Sequence, residues 1–128
     1  MWIMIAGPYR AGGADPATQA ANLQTLNKAA VALFRAGHVP IIGVNMALPM
    51  IEAAGGTGGA YDEIMAPVSL ALVDRCDACL RIGGPSKGAD DEVRRFEAAG
   101  RPVYRALAEV PAASRSGGRS STKGGDAG

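Results

Sequence analysis

Aromatic residues make up only 5% of this 128-residue chain. A core must therefore be built mainly from Ala, Val, Ile, Leu and Met. At 48% apolar residues there is enough material for one domain. An excess of one charge sign is also missing. Thirteen Lys and Arg stand against twelve Asp and Glu, for a net charge of +1. That excludes the basic field by which a nucleic-acid binder is recognised. The two cysteines, Cys76 and Cys79, are too few for a disulfide framework and cannot complete a zinc site alone. No apolar run approaches the roughly 18 residues that cross a membrane, and the N-terminus has no basic leader segment. A cytoplasmic protein with neither a nucleic-acid nor a membrane partner is expected.

What is present is a repeating alternation of short apolar runs and longer periodic segments. Trp2–Ala6 is continuously apolar and ends at Gly7-Pro8, as a strand buried on both sides does. Asp15 followed by Pro16 is a helix start. Leu23, Leu26, Ala30, Leu33 and Phe34 then recur at helical spacing up to the stop at Gly37. Val39 to Ile42 reads as a second strand, which Pro40 places near an edge or a strand start. Met46 to Ala54 suits a short helix interrupted by Pro49. The Gly55–Gly59 run is an exposed loop, either a mobile lid or a tolerant connection. Tyr61, Ile64, Met65, Val68 and Leu72 mark a further helix, with Pro67 as a kink or late start. Asp77–Ile82 is a third strand, residues 88–99 a helix, and Pro102–Tyr104 a fourth strand.

This order predicts a three-layer α/β domain over residues 1–110. Its parallel sheet has four to five strands with helices on both faces. From Pro111 the composition shifts to Ala, Ser, Gly, Arg and Lys. Residues 111–128 are expected to be a disordered tail with no packing role. That tail holds three basic residues and one acid, so ten basic and eleven acidic residues remain in 1–110.

Ligands of open parallel sheets bind beyond the C-terminal strand ends. Two such ends are well equipped here. In Gly7-Pro8-Tyr9-Arg10, Gly7 permits close backbone approach, Tyr9 offers a ring face and a hydroxyl, and Arg10 offers a fork for phosphate. A plain turn with an exposed Arg is the simpler alternative. In Gly83-Gly84-Pro85-Ser86-Lys87-Gly88 a glycine-rich loop enters a helix, whose free N–H groups suit an anion. Lys87 either adds charge or points to solvent. The run lacks both Walker A and GxGxxG spacing, so neither a triphosphate nor a dinucleotide is indicated. Glu92 follows in the first turn of that helix, either as a catalytic carboxylate or, with Asp90 and Asp91, as a partner of the helix dipole. Asn45, just past the second strand, is a further candidate ligand contact. His38, at the base of a strand, reads as structural. The Cys76-x-x-Cys79 pair sits where a helix enters a strand, which suits buried thiols rather than redox chemistry.

Together, "IAGPYR" (Ile5–Arg10), "LFRAGHVPIIG" (Leu33–Gly43), "RCDACLRIGG" (Arg75–Gly84), "PSKGADDE" (Pro85–Glu92) and "AAGRPVY" (Ala98–Tyr104) resemble the nucleoside 2-deoxyribosyltransferase-like superfamily. The branch with the nearest resemblance is one of small bacterial domains related to 2′-deoxynucleoside 5′-phosphate N-hydrolases. The resemblance covers roughly residues 2–108 and implies a flavodoxin- or Rossmann-like sheet. The family's Ser-x-Gly-x-x-x-Glu pattern is matched by Ser86, Gly88 and Glu92. It implies Glu92 as the nucleophile at an anomeric carbon, Ser86 and nearby N–H groups as holders of the 5′-hydroxyl or 5′-phosphate, and Arg10 as a pocket wall. It also implies a nucleoside or nucleotide substrate, a homo-oligomer, and no metal or cofactor. Two positions depart from the pattern. Ser69 stands where relatives carry an Asp, and Met4 where they carry a Tyr. Asp62, Glu63 and Asp74 are the acids nearest to that gap. The departure keeps a second function class open, a nucleotide-type ligand-binding module without catalysis.

Overall fold

The computed structural model describes residues 1–113. Four strands, β1 (Trp2–Ala6), β2 (Val39–Ile41), β3 (Ala78–Arg81) and β4 (Val103–Tyr104), form one parallel sheet in the order β2-β1-β3-β4. The helices are α1 (Pro16–Arg35), α2 (Gly43–Ala53), α3 (Ala60–Val73) and α4 (Lys87–Ala98). The α/β expectation holds, at the lower end of its strand number. β2 is an edge strand, where the missing N–H of Pro40 costs no ladder bond.

Alternate strand residues point to opposite faces of a sheet. Ile3, Ile5, Ala78 and Leu80 pack with Leu26, Ala29 and Leu33 of α1. Met4, Ala6 and Cys79 pack instead with Val73 of α3 and with Ala89, Val93 and Phe96 of α4. The aliphatic core inferred from the scarcity of aromatics is thus two apolar layers either side of β1 and β3. Among the described residues, Phe96 is the one aromatic ring fully inside.

Local signals place most boundaries. The Asp15 carboxylate accepts from the Thr18 amide at 2.8 Å and Pro16 is the first residue of α1. Gly37, past the end of α1, has the positive φ of 95° that a helix stop of this kind needs. The prolines are the exception. α2 begins at Gly43, earlier than expected, and runs through Pro49. α3 begins at Ala60 and runs through Pro67. A proline inside a helix frees the carbonyl four residues back, here those of Asn45 and Glu63. Both prolines and both of those residues are exposed, so the freed groups lie on the solvent side of their helices. The compensation is a helical hairpin with its own core of Ala47, Ile51 and Ala60. The Gly55–Gly59 run is its exposed connection.

The boundary at residue 110 shifts slightly. The His38 ring, buried under the end of α1, bonds through Nε2 to the Pro111 carbonyl at 2.7 Å. The Ala113 amide donates to the Ala36 carbonyl at 3.0 Å. The first residues of the expected tail therefore pack on the domain; residues 114–128 lie outside those described. His38 is structural, as its position suggested. Both cysteines are buried, and burial pushes the Cys76 thiol up to about 11 and Cys79 up to about 12. Neither supplies a thiolate at neutral pH.

Candidate functional site

After β1 the chain continues to β2 on one side, then crosses back to β3 on the other. The switch point of the sheet lies between β1 and β3. A crevice opens there, outside the C-terminal strand ends. Both loops singled out in the sequence leave from those ends.

The two loops interlock. A Cβ on Gly7 would come 2.7 Å from Leu26 Cδ2 and 2.8 Å from the Ile82 carbonyl oxygen. A Cβ on Gly83, whose φ is +81°, would come 2.7 Å from Pro8 Cδ. Glycine at both positions lets the loops touch, with Pro8 wedged between them. Pro8 is therefore a spacer between the loops and not a wall of the cleft, a correction to its reading as a ligand contact. Beneath the second loop, Arg81 is 9% exposed. Its guanidinium donates to the Ile82 carbonyl at 2.6 Å, the Gly84 carbonyl at 2.8 Å and Asp90 Oδ1 at 3.2 Å. These bonds fasten the loop to α4. The sequence reading missed this role, although an arginine ending the Ala78-Cys79-Leu80 run was a visible signal.

The cleft has a volume of about 160 Å³. The first loop contributes Gly7, Tyr9 and Arg10, and the second contributes Ser86 and Gly88. Ser86 caps α4, its Oγ accepting from the Ala89 amide at 3.2 Å. Because α4 starts at Lys87, Glu92 lies in its second turn, not the first. That is too deep for a helix-dipole partner and places the carboxylate in the cleft. Lys87 points outward and pairs with Asp91 at 3.1 Å. Asp91 also bonds Arg94 on the exposed face.

Of the far wall, only the position of Ser69 was anticipated. Tyr61, Met65 and Ser69 of α3 face the cleft, one helical turn apart, and Gly43 opens α2 beside them. Ser69 is buried and adjoins Glu92. Its hydroxyl fills the space that a Cβ on Gly43 would need. The Tyr61 ring lies under the Arg10 guanidinium, 3.7 Å from centroid to Cζ. Burial raises the Tyr61 phenol, and the charge of Arg10 opposes that rise. Asp62, Glu63 and Asp74 do not line the cleft. All three are exposed, with Asp74 4.0 Å from Arg101.

Asn45 is also elsewhere. Its Nδ2 donates to Asn27 Oδ1 at 2.7 Å beside a separate hollow that includes Pro40 and Met46. The cause is the early start of α2. With Gly43 on the cleft wall, a residue two positions on is turned about 200° away.

Among the described residues, Glu92 is the only carboxylate lining the cleft. Burial pushes it up to about 7; the Ser69 hydroxyl and the positive charge of Arg81 pull it down, while Asp91 pushes it up. It therefore exchanges its proton near neutrality, as acid–base and nucleophilic carboxylates do. No group of His, Cys, Asp and Glu suited to holding a metal ion is found among the described residues. No helix among them is long and apolar enough to cross a membrane.

Residues 2–107 match the model of a family described as a domain of unknown function, DUF1937. No curated protein matches the chain.

Proposed function

We propose that this chain, which belongs to the DUF1937 family, cleaves or transfers the N-glycosidic bond of a nucleoside or nucleoside 5′-monophosphate, with Glu92 as the nucleophile. The observation that carries the reading is the place of Glu92. It is a desolvated carboxylate at the sheet switch point, beside the capped start of α4. The resemblance to nucleoside 2-deoxyribosyltransferases assigns Ser86, Gly88 and Glu92 to one site, and all three residues line one cleft.

In this reading Ser86 and the first amides of α4 hold the 5′ end of the sugar. A Glu92 oxygen forms a bond to the anomeric carbon as the C–N bond breaks. The base leaves with the electron pair and takes a proton from solvent, which the attacking nucleophile of the second step returns. Water, or the nitrogen of another base, then attacks the glycosyl ester from the opposite side and releases Glu92 as a carboxylate. Attack requires the ionised form. Base release should therefore rise with pH across an ascending limb near 7, the value to which burial pushes Glu92.

One observation favours a second reading, a nucleotide-binding module without turnover. Two carboxylates are usual for glycoside cleavage, and Ser69, at the position where the resemblance implies an Asp, lines the cleft in its place. Incubation with nucleosides and their 5′-monophosphates, scored for free base by chromatography, separates the two. Release that disappears in Glu92→Gln is expected. No release, with a melting temperature raised by a monophosphate, would favour the module. Neither effect across the whole panel would rule out both.

A further inference from the structure

The Arg10–Tyr61 stack lies across the cleft that the nucleotide reading needs open. A guanidinium 3.7 Å above a ring centroid occupies the position a stacked planar heterocycle would take. The cleft as it stands, at about 160 Å³, is below the roughly 300 Å³ at which sites for whole small molecules begin. A planar ring can stack on that face of Tyr61 only after the guanidinium has left it.

Arg10 is the wall residue suited to move. It is exposed, and among the described residues no carboxylate pairs with it. It leads into a 3-10 turn, Ala11–Gly13, in which Gly12 and Gly13 have φ of 69° and 70°. Open space surrounds both glycines. The opposite partner is held in place, since Tyr61 packs against the Ala47, Ile51 and Ala60 core of the α2–α3 hairpin. The other nearby cations are engaged, Arg81 with loop carbonyls and Asp90, and Lys87 with Asp91. Arg10 is thus both the cover on the ring and the cleft's one free cation among the described residues.

We propose that Arg10 masks the face of Tyr61 in the empty cleft, and that an anionic group on the ligand draws it away so that a planar ring can stack there. This rests on the nucleotide reading and deepens it, by making the site select molecules that carry both a ring and an anion. A neutral nucleoside has to break the cation–ring contact with nothing to replace it. A monophosphate gives the guanidinium a bidentate partner in exchange.

The test is calorimetric titration of the full chain and its variants with adenosine and adenosine 5′-monophosphate, repeated with the other common bases. The unaltered chain should bind the monophosphate more tightly. Arg10→Ala should weaken the monophosphate tenfold or more, yet tighten the nucleoside about two- to fivefold because the ring is uncovered. Tyr61→Leu should weaken both, and Tyr61→Phe should preserve the preference. Weakening of both ligands by Arg10→Ala would make Arg10 a platform and overturn the mask, as would an unchanged nucleoside affinity. Binding of the monophosphate would then leave the nucleotide reading intact. Failure of the unaltered chain to bind any nucleoside or monophosphate overturns that reading and the mask with it.

Discussion

At the scale of single residues, Glu92 carries the most consequence and also a cost. A carboxyl raised from 4.5 to about 7 by burial opposes folding whenever it is ionised. Below its unfolded value it is protonated in both states and the penalty vanishes. The penalty grows as pH rises from about 4.5 to about 7 and is complete above that. Glu92→Gln should therefore be the more stable protein at pH 8, by an amount on the order of 1–3 kcal/mol, and equal to the parent near pH 4. Denaturant midpoints of the two proteins across that range test this. A difference that is flat with pH would remove Glu92 from the desolvated position. The position of Ser69 beside this carboxyl also bears on the missing acid. Its hydroxyl packs where a Cβ on Gly43 would sit, so the wall leaves little room for a larger side chain at 69.

At the scale of elements, the cleft exists because two loops lie against each other. The Gly83 contact is the most exacting, since it combines φ of +81° with a neighbouring ring 2.7 Å from any added Cβ. Gly83→Ala should cost about 2–4 kcal/mol, from left-handed strain together with the clash. Adding Pro8→Ala should recover the clash share but not the strain. A chemical denaturation series of the single and double variants reads both parts. A loss below about 0.5 kcal/mol for Gly83→Ala would show that the loops are not in contact. The α2–α3 hairpin shows the limit of local signals at this scale. Pro49 and Pro67 predict interruptions, yet packing of Ala47, Ile51 and Ala60 holds both helices through them. Each proline lies on the solvent side, where a freed carbonyl is hydrated at little cost.

At the scale of the whole molecule, a four-strand domain buries a modest share of its surface. Trp2, Val31, Phe34 and Val39 remain between 42% and 65% exposed. Val31 and Phe34 are three residues apart on α1 and so share a face. We propose that these residues meet a second copy of the chain. Light scattering coupled to size exclusion should give a mass of at least two chains at micromolar concentration, and a monomer there would contradict it.

The sequence by itself determined what depends on neighbours within a turn or two. It set the cap of α1, the glycine stops, the apolar strands, the parallel α/β class and both loops at the strand ends. These follow from short-range sterics and hydrogen bonding, which a local stretch of residues contains. The burial of Glu92 and the turn of α4 it occupies depended on where the helix starts and what covers it. Only the tertiary structure put the switch point between β1 and β3. It alone stacked Arg10 on Tyr61, fifty-one positions later in the chain. It alone set Ser69 beside Glu92, turned Arg81 under the loop, wedged Pro8 out of the cleft and aimed Asn45 at Asn27. Each of these is a contact between distant segments, and desolvation is a property of everything that surrounds a group. No window of sequence contains that surrounding, so Gly7, Tyr9, Arg10, Ser86, Gly88 and Glu92 were legible as members of the site, while the misplaced Pro8 and Asn45, the Tyr61 and Met65 wall and the electrostatics were not.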